Sequence, residues 1–515
     1  MKHVKQLLSA LLVLAVVLSL LPAGVLKASA AEAPAALDIG YPTFKNTELL
    51  DEVYDLSKLG VSYSEKDIMM AIYKQDLANG GDSFYMDRIL AREGVCNGNA
   101  GSNGNADGNT FLTRGRALYM YTSSPSVIGF GGNTAYHQPL GRGDLVRVLF
   151  SNADGSLTTK EDTSKRVNAP SNWSSTYSVG SNLTLDVVKF IHQENVAVTT
   201  MTLTNKSAED QAITVAADSI FATEPGKVTV NGAEQTELTG TCSSPAGLTT
   251  IYARMTGDGF EAASSDDYCW LSRDVTVPAG GSVELKVVIA FTTEEIPEST
   301  EQYLRFAGLG NLEAVRAQKA EYNLYWAENL PYIDVPKKAV QKAIDYRWWL
   351  ERFNSLDANI PGYDYQYPVT IEGVLGYNNA IILTQPMHLQ DTKWLRSPYL
   401  AYGQLLSAGN SSQSSAFLDN PGNRNNWNNH YGQYLAEAGY EAFNVIGGGA
   451  EVAENFAYYF GHDATGQLEH YGNHIEGRDL IAYRNNYMTG NDADTISMHA
   501  PGTGTWKAHG ENAYV

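Results

Sequence analysis

Four polar segments gather residue types suited to a hydroxyl-rich ligand. Residues 363–379 read YDYQYPVTIEGVLGYNN, with one acid, Glu372, among tyrosines and amides that include Tyr377 and Asn378. A carboxylate in such surroundings can recognise sugar hydroxyls or stabilise an oxocarbenium-like centre. It can equally be a helix N-terminal acid favoured by the macrodipole. Residues 385–402, QPMHLQDTKWLRSPYLAY, bring His388, Asp391, Lys393 and Trp394 close together. His388 and Trp394 are candidate ligand contacts, whereas Asp391 reads as the cap of a starting helix. Residues 420–430, NPGNRNNWNNH, set Trp427 among amides, which both donate and accept hydrogen bonds as sugar hydroxyls require. Residues 484–506 hold Asp492 and Asp494 in a glycine-punctuated stretch. A loop acid after a glycine can project into a cleft and protonate a leaving oxygen. Asp-x-Asp is also a common turn or calcium pattern.

Other chemistries find little support. The chain has no GxSxG elbow, HExxH pair or Walker A loop. His462, His470 and His474 lie close in sequence, but Gly472 falls among them, and no metal site or cofactor is expected. The Asn/Gly-rich residues 97–109 lack the closing glutamate of an EF-hand and read as a surface loop. A formal net charge of −21, from 36 Lys+Arg against 57 Asp+Glu, excludes a phosphate-tracking nucleic-acid binder. The 31 tyrosines and 8 tryptophans suit sugar rings, because each presents a flat apolar face with a polar rim.

These residues need a scaffold. Residues 117–123, 145–151, 183–191, 195–205, 213–221 and 282–291 predict strands, separated by Gly, Asn, Ser and Pro clusters. With no helices between them, they imply an antiparallel sandwich of two sheets. Residues 298–328 predict helix with a break at Gly308–Gly310. Residues 337–353 predict another, with Val340, Ile344 and Trp348 on one face. Further helices are expected near 65–75, 393–407, 430–446 and 450–460.

At the N-terminus, Lys2, His3 and Lys5 precede an apolar run, and Ala28-Ser29-Ala30 offers a cleavage site. This is the layout of a secretory signal peptide, so the mature protein is expected outside the cell with no membrane span. Cys242 and Cys269 are then a candidate disulfide, with three free thiols the alternative. The closing residues Glu511 to Val515 read as the middle of a helix, and a longer chain is expected.

The order of sandwich, helical linker and helical domain resembles the (α/α)6-toroid glycosidases, which include the processing α-glucosidases and trehalases. Thr489-Gly490-Asn491-Asp492 is similar to their Ser-Gly-x-Asp loop, whose Asp is the general acid. Ala493-Asp494-Thr495 replaces the Asn-Ser-Pro of the α-glucosidases. Over residues 322–515 the chain resembles glycoside hydrolase family 121, the β-L-arabinobiosidases. That resemblance implies Asp492 as proton donor, Glu372 as a second pocket acid, and a third acid beyond Val515.

The expectation is therefore a multidomain α and β chain: signal peptide 1–30, N-terminal region with an antiparallel β-sandwich 31–293, helical linker 294–335, and a partial (α/α)6 toroid 336–515. Its expected function is a secreted glycoside hydrolase releasing an arabinose disaccharide from hydroxyproline-rich plant glycoproteins. The partner is an oligosaccharide or glycoprotein glycan. Tyr377, Asn378, His388, Trp394, Trp427 and Asp494 are the candidate substrate contacts. Another toroid exo-glycosidase, or a non-catalytic carbohydrate-binding protein, are the alternatives.

Overall fold

A computed structural model describes residues 34–40, 116, 118–121, 128–134, 144–168, 171–243, 250–265, 268–329, 331, 335–357, 367–370, 382–412, 434–471, 482–483 and 507–508. The expected signal peptide, the 65–75 helix and the 97–109 loop lie outside these residues. The chain divides into two compact units. One comprises Pro42–Pro361 and Thr370–Asn378; the other comprises Met1–Tyr41, Gly362–Val369 and Asn379–Val515.

The first unit is built on an antiparallel sandwich. Its strands are β1 (Leu118–Tyr121), β2 (Ile128–Thr134), β3 (Asp144–Asn152), β4 (Gly155–Ser156), β5 (Thr159–Asn168), β6 (Trp173–Val179), β7 (Leu183–His192) and β8 (Val196–Asn205). They continue as β9 (Gln211–Ser219), β10 (Glu224–Val230), β11 (Ala233–Ser243), β12 (Thr250–Gly257), β13 (Glu261–Ser265), β14 (Tyr268–Val277) and β15 (Ser282–Thr292). One sheet has the order β1-β2-β3-β9-β14-β13, with β4 beside β3. The other has the order β10-β11-β12-β15-β8-β7-β6-β5. The expected sandwich is therefore present, and all six expected strands fall within it.

Alternation explains the edges of the second sheet, and its loss explains the centre. In β6, Trp173, Ser175, Tyr177 and Val179 are buried and the residues between them are not, as a strand with one wet face requires. In β8 and the C-terminal part of β15, nearly every residue is buried. Two helices cause this: α1 (Glu298–Gly308) and α2 (Asn311–Asn329) cover the outer face. Tyr303, Phe306, Ala314 and Ala317 close over Phe190, Val198, Val288 and Ala290. A strand covered on both faces reads as a continuous apolar run. The break between α1 and α2 lies where Gly308–Gly310 predicted it. Asn231-Gly232 forms the two-residue turn between β10 and β11, both at positive φ, as a right-twisted hairpin demands. The Asn231 side chain also donates to the Gly308 carbonyl at 3.0 Å, closing the end of α1.

Helix α3 (Lys338–Phe353) matches its expected span. Its apolar face is shorter than the sequence suggests: Val340 is 44% exposed, while Trp348 and Trp349 are buried. Val340 sits in the first turn, and burial begins only in the second half. Cys269 is a free buried thiol, so the Cys242–Cys269 disulfide does not form. The two residues belong to strands of different sheets. Burial pushes the Cys269 thiol pKa up, which keeps it protonated.

The second unit is helical: α4 (Gln385–Thr392), α5 (Tyr399–Ser412), α6 (Leu435–Ile446) and α7 (Ala450–Tyr471). The helix expected at 393–407 begins later, because Pro398 must precede the first turn of α5, and Pro386 opens a separate α4. The expected 450–460 helix continues through Gly461 to Tyr471. Residues 399–409 of α5 are buried all round, which marks it as the central helix. Its neighbours approach closely: a Cβ on Gly409 would meet the Tyr459 ring at 2.3 Å. Leu37 and Ile39 pack against this core, and Tyr367 donates to the Leu37 carbonyl at 3.0 Å.

Candidate functional site

The directions of the four helices determine where their connecting segments meet. Thr392, at the end of α4, lies 3.5 Å from the Gln404 amide, so the end of α4 packs on the first half of α5. Tyr402, near the start of α5, donates to the carbonyl of Gly447 just after α6. Gly439 faces both Leu405 and Phe460. Helix α6 is therefore antiparallel to α5 and α7. Tyr402 stacks edge-on to Phe456 at 5.1 Å, and further along Tyr459 donates to Asn410 at 2.6 Å, so α5 and α7 run parallel.

The bundle consequently has two unlike ends. At one end the connections are short: residues 393–398 and Gly447–Gly449. At the other end the chain enters α4, leaves α5, enters α6 and leaves α7. Residues 413–433, with Trp427, join α5 to α6 at this second end. Helix α7 runs on past this level, from Tyr459 beside Asn410 to Tyr471, before the chain continues toward Asp492 and Asp494. Glu372, Tyr377, Asn378, Trp427, Asp492 and Asp494 all lie outside the described residues.

The described residues near the second end are polar and aromatic. Tyr459 points its hydroxyl at Asn410, and burial pushes its pKa up to about 12, so it remains a hydrogen-bond donor at any ordinary pH. Tyr458 and His462 stack edge-on at 4.3 Å, one turn apart on α7. Tyr459 belongs to the core of the helical unit, with Tyr458 packed against it, and its bond to Asn410 braces α5 against α7. The sequence does not single out Asn410, Tyr458 or Tyr459, whose contacts depend on how α5 and α7 pack.

His388 and Trp394 are the two expected contacts within the described residues. His388 lies in the middle of α4, half-buried. Trp394 follows α4 at the short-connection end, 52% exposed. It therefore lies at the opposite end from the attachments of residues 413–433. Its neighbour Lys393 turns inward, its Nζ 2.7 Å from Glu441 on α6, and Gln390 donates to the same carboxylate at 2.8 Å. Lys393 and Gln390 hold Glu441 below the usual carboxylate range. This cluster ties α4 to α6. Asp391 is not the helix cap that the sequence suggests: it lies in the last turn of α4, because Pro386 starts the helix earlier.

Among the described residues, no group of three or more His, Cys, Asp or Glu is arranged to hold a metal ion, and no helix is long and apolar enough to cross a membrane. No family model matches the chain. Several solved structures resemble it. One is named as a kojibiose phosphorylase from the human microbiome: 9% identity, TM-score 0.48, covering 73% of this chain and 58% of that one. Another is the family GH92 inverting mannosidase of Bacteroides thetaiotaomicron: 12% identity, TM-score 0.39, covering 64% and 48%. A family GH92 α-mannosidase from the same organism has 11% identity and TM-score 0.32, covering 70% and 53%. The chain thus spans about half the length of the solved chains that it resembles. TM-scores under 0.5 at these identities settle neither family nor activity.

Proposed function

We propose that the protein is a secreted enzyme that breaks glycosidic bonds, with Asp492 as its proton donor. The observation that supports the reading is helix direction: α5 and α7 run parallel, so the chain leaves both on the same side of the bundle before the segments that hold Trp427 and Asp492. In this reading Asp492 protonates the glycosidic oxygen as the bond breaks. Glu372 acts near the anomeric carbon, as the second carboxylate that glycoside hydrolysis requires. Trp427, Tyr377 and Asn378 supply ring faces and amides to the sugar, and Asp494 a further hydrogen-bond acceptor. Trp394, at the opposite end, takes no part in the step. The substrate favoured by the sequence is an arabinose-containing oligosaccharide of plant origin.

Incubating the complete protein with aryl glycosides of arabinofuranose, mannose, glucose and rhamnose tests both levels of the proposal. Release of aryl alcohol from the arabinofuranoside, or of arabinose disaccharide from the matching oligosaccharide, is the expected result. Turnover of a mannoside or glucoside alone would keep the enzyme class and replace the substrate. No turnover of any glycoside would remove the enzyme reading.

A further inference from the structure

A cleft in the sandwich unit is lined by none of Glu372, Asp492 and Asp494. Helix α1 covers the middle of the eight-stranded sheet, and among the described residues nothing covers one end of its outer face. There the start of α1, the β9–β10 connection and strands β10, β11, β12 and β15 enclose a cleft of about 1360 Å³. Drug-sized pockets measure roughly 300–1,000 Å³, so this cleft admits a longer ligand.

The strand register builds its floor. Tyr252 of β12 sits directly between Thr241 of β11 and Thr292 of β15. The next row on the same face sets Arg254 beside Thr239. Tyr252 is 38% exposed on a sheet whose other face is closed core, so its ring is offered to a ligand. Beside it, Arg254 is bound at both Nε and Nη2 to the Glu237 carboxylate, each at 3.1 Å. Arg254 also stacks on Tyr303, 4.9 Å from the ring centre. The cleft is therefore lined by a fixed, mutually neutralised ion pair. Thr293, 5% exposed, also lines the cleft, and its buried hydroxyl has no hydrogen-bond partner.

These features select the ligand's chemistry. Glu224, Glu294 and Glu301 stand around the cleft, and its one cation is already paired, which disfavours an anion. The carboxylates do not form a metal cluster. What remains is a flat aromatic face ringed by hydroxyls and a rigid charged pair. We propose that this cleft binds a neutral oligosaccharide, with one sugar ring stacked on Tyr252 and its hydroxyls bridging to Thr239 and Thr241. The site holds glycan on the sandwich unit, apart from any bond cleavage.

Calorimetric titration of the complete protein with arabino-, manno-, xylo- and malto-hexaose tests this. At least one is expected to bind. Tyr252→Ala weakens that binding about fivefold to tenfold, the value of a stacked ring, whereas Tyr252→Phe keeps it. Asp492→Asn leaves the Tyr252-dependent binding in place, which separates this site from the catalytic proposal. Circular dichroism of both Tyr252 variants should match the parent, since the side chain is partly exposed. Equal affinity in Tyr252→Ala and the parent would overturn the proposal. So would no binding of any hexaose, or a response to Ca²⁺ alone.

Discussion

Two buried ionisable side chains of the sandwich unit make stability rise with pH, each in its own window. Glu321 on α2 accepts from His192 at 2.8 Å and meets Arg305 at 2.5 Å. Burial raises its pKa, but His192 and Arg305 outweigh that and leave it below the ordinary carboxylate value. Its stabilising effect is therefore full above that ordinary value and lost as pH falls through the lower folded value. Glu321→Ala removes the anion between two basic groups and is expected to cost about 3 kcal/mol at neutral pH. Urea denaturation at pH 7 and pH 4 measures both the cost and its decline. Lys286 adds a slope of the same sign at higher pH. It donates to the Ala307 and Leu309 carbonyls at the end of α1, and burial lowers its pKa to about 8. Between that value and the ordinary 10.5 the unfolded chain holds a proton that the folded chain has released, so stability rises with pH. The parent should gain denaturant resistance from pH 7.5 to 9.5 relative to Lys286→Met, and a parallel response in the two proteins would contradict this.

At the scale of elements, close helix approach is the exacting feature. Gly409→Ala drives a methyl group into Tyr459 and should cost about 1–3 kcal/mol, measured as a lowered denaturation midpoint. Much at this scale was legible in the sequence. Strands β7, β8, β9 and β15 follow their patterns of apolar residues, and the break between α1 and α2 follows its glycines. The start of α5 was misplaced because the apolar residues after Lys393 suit a helix, whereas Pro398 decides where one can begin. The length of α7 was underestimated because Gly461 looks like a stop but lies exposed and is tolerated. The expected disulfide failed for a different reason: spacing along the chain says nothing about which sheet a strand joins.

At the scale of the whole molecule, the change from strands to helices after Phe291 was readable in the sequence, but α1, α2 and α3 stay in the same compact unit as the strands. The grouping of candidate site residues was not. His388 and Trp394 are six positions apart, yet α4 carries them toward different surroundings, and Lys393 between them is spent on Glu441. Conversely, Asn410 and Tyr459 are distant in sequence and share a hydrogen bond. Local sequence gave the chemistry of each segment, and only helix direction shows which segments share an end. The central claim is that Asp492 donates the proton in glycosidic cleavage. The most direct test is the turnover of Asp492→Asn in the complete protein on whichever glycoside the parent hydrolyses, with circular dichroism alongside. The account predicts an unchanged spectrum and a loss of about 10²–10⁴-fold in kcat. Near-parental turnover would contradict it.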